Sequence, residues 1–200
     1  MEAGAATIGT GRAPERGLDV YTKKVGMWIF LASEVMFFSG LIGSYIVLRF
    51  GASESWPAPG DVLNIPVTAV NTFILICSSV SMVKAFAAAE QGDQKGIKLW
   101  LFLTFLMGAT FVGVQVFEYT QLVHHGFTPA SDLYGATFFT MTGFHGFHVT
   151  MGVLCMGWAT IGAFRGRWGK DNYHGIEVLG LYWHFVDLVW IILFTIVYLI

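Results

Sequence analysis

The chain has 200 residues, of which 55% are hydrophobic, 16% aromatic and 12% charged. That charged fraction is about half the usual value for a soluble domain, which excludes a water-soluble globular protein and places the chain in a membrane. A formal net charge of -2 excludes a nucleic-acid partner, and Cys77 and Cys155 lie singly in apolar segments, which leaves neither a disulfide framework nor a CxxC metal site.

In chain order, residues 1–22 are rich in Gly, Ala and charge and read as a mobile tail, with no apolar core of their own and no cleavage signature after them. Five stretches follow, each long enough for a hydrocarbon core of about 30 Å, which needs roughly 20 helical residues. They run from Val25 to Arg49, Pro66 to Glu90, Ile97 to Val123, Tyr134 to Phe164 and Val178 to Ile200. The Pro/Gly/Ser-rich loop GASESWPAPGDVLN ends at Pro66, a residue suited to a first helical turn. The predicted fold is therefore all-α: an integral membrane bundle of five transmembrane helices over residues 23–200, with no repeat and no soluble domain. Small residues in the spans, such as Ser39, Gly40, Gly43 and Ser44 in the first and Ser78, Ser79 and Ser81 in the second, are expected at helix contacts.

Charge asymmetry predicts the orientation. Arg12, Arg16, Lys23, Lys24, Lys84, Lys95, Lys98, Arg165, Arg167 and Lys170 flank one side of the five spans, and Arg49 alone lies on the other. The positive-inside rule then puts the amino terminus in the cytoplasm and the carboxyl terminus outside.

Ionisable residues inside the spans carry the functional signal, because each costs about 2.5 to 3.5 kcal/mol or more facing lipid at mid-membrane and must face protein, headgroups or water. They are Glu34, Glu118, His145, His148, His184 and Asp187. At about 1.5 Å of rise per residue, His148 and Asp187 fall within roughly 3 Å of the midplane. His184 and Asp187 share a face at i, i+3, as do His145 and His148 with Thr142, so adjacent last helices are expected to bring one or more imidazoles onto Asp187. Glu34 has Phe30, Leu31, Phe37 and Phe38 at its i±3 and i±4 positions, an apolar ring that offers a charge little solvation. Glu118, with Gln115 and Gln121 on its face, lies nearer the outer interface.

These groups fit several functions by spacing alone. Haem or metal ligation requires opposed ligands, whereas HGFH puts both histidines on one helix face. A histidine-ligated membrane enzyme, a proton-coupled transporter and a purely structural polar network all remain open at this level.

Three segments go further. SEVMFF, TGFHGFHV and YWHFVDLVW, in that order and within a match running from Lys23 to Ile200, resemble the signature segments of subunit III of the haem-copper oxidases. The resemblance implies a companion subunit without haem or copper of its own. Such a subunit packs against catalytic subunit I, stabilises it during turnover, supports proton uptake, is associated with oxygen access, and lies in the bacterial cytoplasmic (inner) membrane beside subunit II and other respiratory subunits. Haem and copper are then expected in those partners. Residue by residue, Glu34 matches the family's buried carboxylate, Glu118 its Glu-Tyr pair, Asp132 the acid before the following helix, and His145, His148, His184 and Asp187 its polar centre. Family members hold phospholipid in a cleft beside a first pair of helices that has no counterpart in this sequence, so membrane lipid is expected on an open surface, with Arg165 as the headgroup contact. The electron donor is expected to be cytochrome c; a quinol oxidase or a nitric-oxide-reductase-associated homologue is the alternative.

Overall fold

The computed structural model describes residues 15–51 and 56–200, excluding the side chains of residues 15–20 and 61. The helices are α1 (Glu15–Gly51), α2 (Pro59–Val62), α3 (Ile65–Gln91), α4 (Gln94–His124), α5 (Leu133–Phe164) and α6 (His174–Phe194), the last continued by a π-helical turn over Thr195–Leu199. Five of them are long and apolar enough to cross a membrane, and they coincide with the five predicted spans. Among the described residues there is no strand.

Local chemistry sets the helix ends. Asn64, Asp93 and Asp132 stand at the N-caps of α3, α4 and α5, where their side chains accept from the backbone N–H of Val67, Lys95 and Gly135. Gly92, at φ 79°, closes α3 in the left-handed conformation and lets α4 start two residues later. At the amino end, Glu15 to Thr22 continue α1 as helix, and residues 1–14 of the expected tail lie outside the described residues. The reason is propagation: once a span has nucleated, each added residue gains a backbone hydrogen bond at little cost.

Helices α3, α4, α5 and α6 close a four-membered ring, each packed on the next, and α1 lies outside it against α5 and α6. Two indoles of α6 fill the ring. Trp183 donates from Nε1 to Ser78 Oγ on α3 at 3.0 Å. It also lies so close to α4 and α5 that a Cβ at Gly108 would stand 2.7 Å, and one at Gly152 2.8 Å, from its ring. Two turns along, Trp190 donates to Thr72 Oγ1 on α3 at 2.9 Å, meets Phe111 of α4 edge-on at 5.0 Å, and stacks on His145 of α5 at 4.8 Å. Each tryptophan therefore touches all three other helices of the ring. Both are fully buried, and aromatic side chains of that size dominate the packing of a core.

The small residues of α1 behave differently from expectation. A Cβ at Gly40 or Gly43 would meet nothing within 4 Å, whereas Ser78 and Ser81 of α3 are buried. The difference follows from position: among its described side chains α1 buries only the stripe Leu31, Phe38 and Tyr45 and leaves Trp28, Met36, Val47 and Phe50 exposed.

Candidate functional site

The polar side chains fall into separate groups. On the α1 side, Glu34 Oε2 lies 3.1 Å from His148 Nε2, and both side chains are largely covered. His148 Nδ1 meets the carbonyl of Phe144 at 2.8 Å. A carbonyl only accepts, so Nδ1 carries a proton and Nε2 and the carboxyl share a second one, either as imidazolium and carboxylate or as imidazole and acid. The apolar ring predicted around Glu34 is thus half right. Leu31 and Phe38 are buried beside it, Phe30 and Phe37 are exposed, and an imidazole supplies the polar contact.

The expected contact between Asp187 and an imidazole is not formed. Both carboxyl oxygens of Asp187 are buried without a hydrogen bond, as are both ring nitrogens of His145. The Ser79 hydroxyl lies near enough to act on Asp187, but its short hydrogen bond, 2.6 Å, is to His184 Nδ1. Helix geometry explains the separation. Trp183, Asp187 and Trp190 recur at i, i+4 and i+7 and point into the ring, while His184 is turned toward α3 and His148 toward α1.

Toward the other end, Glu118 Oε1 accepts from Thr68 Oγ1 at 2.5 Å. With Gln121, His125, Asp132 and Tyr198 it lines a cavity of about 700 Å³. Asp132 is engaged as the N-cap of α5. Gln115, expected beside Glu118, is buried instead and donates to the Thr142 carbonyl at 3.2 Å, while Tyr119 donates to Thr142 Oγ1 at 2.6 Å. A second groove of about 730 Å³, almost wholly apolar, runs between α1, α5 and α6 past Phe30, His148, Cys155, Trp158 and Tyr182. Arg165 is exposed at the end of α5, and the cation that stacks over the groove's Trp158, at 4.6 Å, is Arg167.

Among the described residues, no group of three or more His, Cys, Asp or Glu side chains is arranged to hold a metal ion. Sequence reasoning marked Ser79 only as a small residue at a helix contact and did not single out Thr68, Trp183 or Trp190; the i, i+4, i+7 spacing of the two tryptophans around Asp187 was the signal that could have found those two.

Residues 15–200 match the family model for cytochrome c oxidase subunit III. The chain belongs to that family. It is 40% identical over 176 residues to the probable cytochrome c oxidase subunit 3 of Mycobacterium tuberculosis (strain ATCC 25618 / H37Rv), covering 88% of this chain and 87% of the relative. It is 41% identical over 174 residues to the corresponding probable subunit of Nocardia farcinica, covering 87% and 86%. To the cytochrome c oxidase subunit 3 of Bacillus sp. (strain PS3) it is 34% identical over 191 residues, covering 94% and 91%. The family resemblance drawn from the three motifs therefore holds, and the motifs map onto the site: SEVMFF supplies Glu34, TGFHGFHV supplies His145 and His148, and YWHFVDLVW supplies His184 and Asp187. A subunit III chain with five spans is an integral membrane protein and part of an oxidoreductase complex.

Proposed function

We propose that this chain is the non-catalytic subunit III of a respiratory cytochrome c oxidase in a bacterial cytoplasmic membrane, seated beside subunit I with its amino terminus inside. The observation that carries the reading is the subunit III family match over residues 15–200. The dispersal of the buried histidines supports it. His145, His148 and His184 each face a different partner, so they serve helix packing and proton sharing and not a redox centre. Haem and copper belong to the neighbouring subunits, and cytochrome c is the donor, in keeping with the names of the relatives. Lipid occupies the apolar groove between α1, α5 and α6, with Arg165 and Arg167 at its charged end. The Glu34–His148 pair supports a second reading, in which this subunit also exchanges protons with its surroundings, because one proton is shared there at a groove that lipid or water can reach.

The test is purification of the assembled complex through a tag on this chain. Haem and copper bands together with oxygen consumption driven by reduced cytochrome c are expected. Stoichiometric haem, copper or iron on the separated subunit overturns the non-catalytic reading, and turnover with quinol alone overturns the donor. Cysteine-accessibility labelling of the assembled protein checks the orientation; reactive sites at residue 2 and residue 200 on the same face overturn it.

A further inference from the structure

A cavity of about 700 Å³ opens between the start of α3, the end of α4, the α4–α5 loop and the closing π-helical turn. Its rim is exposed at Asn64, Gln121, His125 and Asp132, and Val67, Phe117, Leu122 and Phe127 make its walls apolar. Tyr198 reaches it from the turn Thr195–Leu199, a winding that is rare in proteins and concentrated at functional sites.

Two carboxyls line this cavity, those of Glu118 and Asp132, and no Lys or Arg does. Each uses one oxygen inside the chain: Glu118 Oε1 accepts from Thr68 and Asp132 Oδ1 accepts from the Gly135 N–H. Among the described residues neither carboxyl has an ion pair. The rest of this end of the bundle offers no cation. Segments 52–64 and 125–132, which join the spans here, contain Glu54, Asp61 and Asp132 and no Lys or Arg. Arg49, the one such residue flanking the spans on this side, donates to the Ile200 carbonyl.

We infer that the cavity receives a basic side chain, Lys or Arg, from a neighbouring subunit, with its cationic head on the Glu118 carboxylate and its stem along the apolar walls. Lys and Arg join an apolar stem to a charged head, and the head is attracted further by aromatic faces. Apolar walls, aromatic rings and acidic charge are what this cavity combines. Other occupants fit it less well. A phospholipid brings a phosphate to two carboxyls with no Lys or Arg on the lining to hold it. A metal ion needs several ligands, and among the described residues no group of three or more His, Cys, Asp or Glu is arranged for one. The proposed cytochrome c oxidase reading enters only in naming the neighbours; the charge argument stands on the cavity itself.

The test places benzoylphenylalanine, a photoreactive residue, at Gln121 on the rim, in the assembled complex. After illumination, an adduct to a segment of another subunit that contains Lys or Arg is the expected result. An adduct to lipid only, to this chain only or to a segment without Lys or Arg overturns the inference, as does the absence of any adduct. Glu118→Gln combined with Asp132→Asn removes both charges while keeping an acceptor for Thr68 and for the Gly135 N–H. That change should lower the adduct yield about tenfold or more, as loss of a hydrogen bond between charged groups does. Glu90→Gln, at the opposite end of α3, should leave the yield unchanged. Equal yields in the neutralised form and this control overturn the inference. The adduct formed with both carboxyls intact is decisive by itself, so failure of the neutralised form to assemble leaves the test intact. Haem and copper in the same sample test the oxidase reading separately.

Discussion

Gly152→Ala probes the packing that holds the four-helix ring together. The added methyl would stand 2.8 Å from Trp183 Cζ3, 2.9 Å from Cε3 and 3.2 Å from Tyr182 Cε1. Comfortable carbon–carbon contact is about 3.5 to 4.0 Å, so the indole must retreat by most of an ångström. Its far edge faces Gly108, where a Cβ would stand 2.7 Å from the ring, so backbone blocks the retreat, and moving also stretches the 3.0 Å bond to Ser78. Overpacking of this kind costs about 1 to 3 kcal/mol, and loss of the hydrogen bond adds about 0.5 to 1.5 kcal/mol. Alanine returns up to about 1 kcal/mol of helix propensity. The net cost is about 0.5 to 3.5 kcal/mol, roughly a 2- to 300-fold shift toward the opened bundle at about 1.4 kcal/mol per factor of ten. The assay is the SDS-titration midpoint of the purified assembly, followed by tryptophan fluorescence, with Gly143→Ala on the same helix as the control because a Cβ there meets nothing within 4 Å. Equal midpoints for the two variants would refute the claim that Trp183 is wedged between α4 and α5.

Two further outcomes follow from the contacts of α1. Glu34→Gln keeps a polar partner for His148, whereas Glu34→Ala removes it and should weaken α1 docking by about 1.5 to 3 kcal/mol, the range for a hydrogen bond to a charged group. In oxygen-consumption traces of the assembled oxidase, the Gln form should keep its initial rate and the Ala form should lose activity sooner; an immediate large drop in the Gln form would show that Glu34 must titrate. Lys24→Met removes an ion pair with Glu177 of 2.7 Å in which both side chains are a quarter to a third exposed. The expected loss is about 0.2 to 1 kcal/mol and should shrink as salt is raised; a larger, salt-independent fall in the Tm of the assembly would contradict a surface role for the pair.

Much of the architecture was legible because lipid makes a blunt demand. A span must be apolar and helical for about 20 residues, so the five spans could be read to within a few residues of their ends, and the motifs SEVMFF, TGFHGFHV and YWHFVDLVW pointed to the subunit III family. The same demand marked Glu34, His148, His184 and Asp187 as inward-facing, and each is at least partly covered. Pairing was not legible. A helix face is known from spacing only to within about a quarter turn, and the separation of His184 from Asp187 by three residues was enough to send one to Ser79 and the other into the core. Nor did glycine content reveal contact: Gly40 and Gly43 suggested a close helix pair that α1 does not make, while Gly108 and Gly152 admit the indole of Trp183, a residue of another helix.

The position of α1 has a consequence for biogenesis. Of the five described spans it is made first, yet the surfaces it packs against belong to α5 and α6, the last two of the five. During synthesis α1 must therefore reside in the bilayer as an autonomous span, with Glu34 lacking His148 until the fourth crossing is made. A carboxyl facing lipid is costly, and Glu34 exchanges lipid for an imidazole only when the ring closes beside it. Docking of α1 thus waits on the spans that carry its partners, α5 and α6.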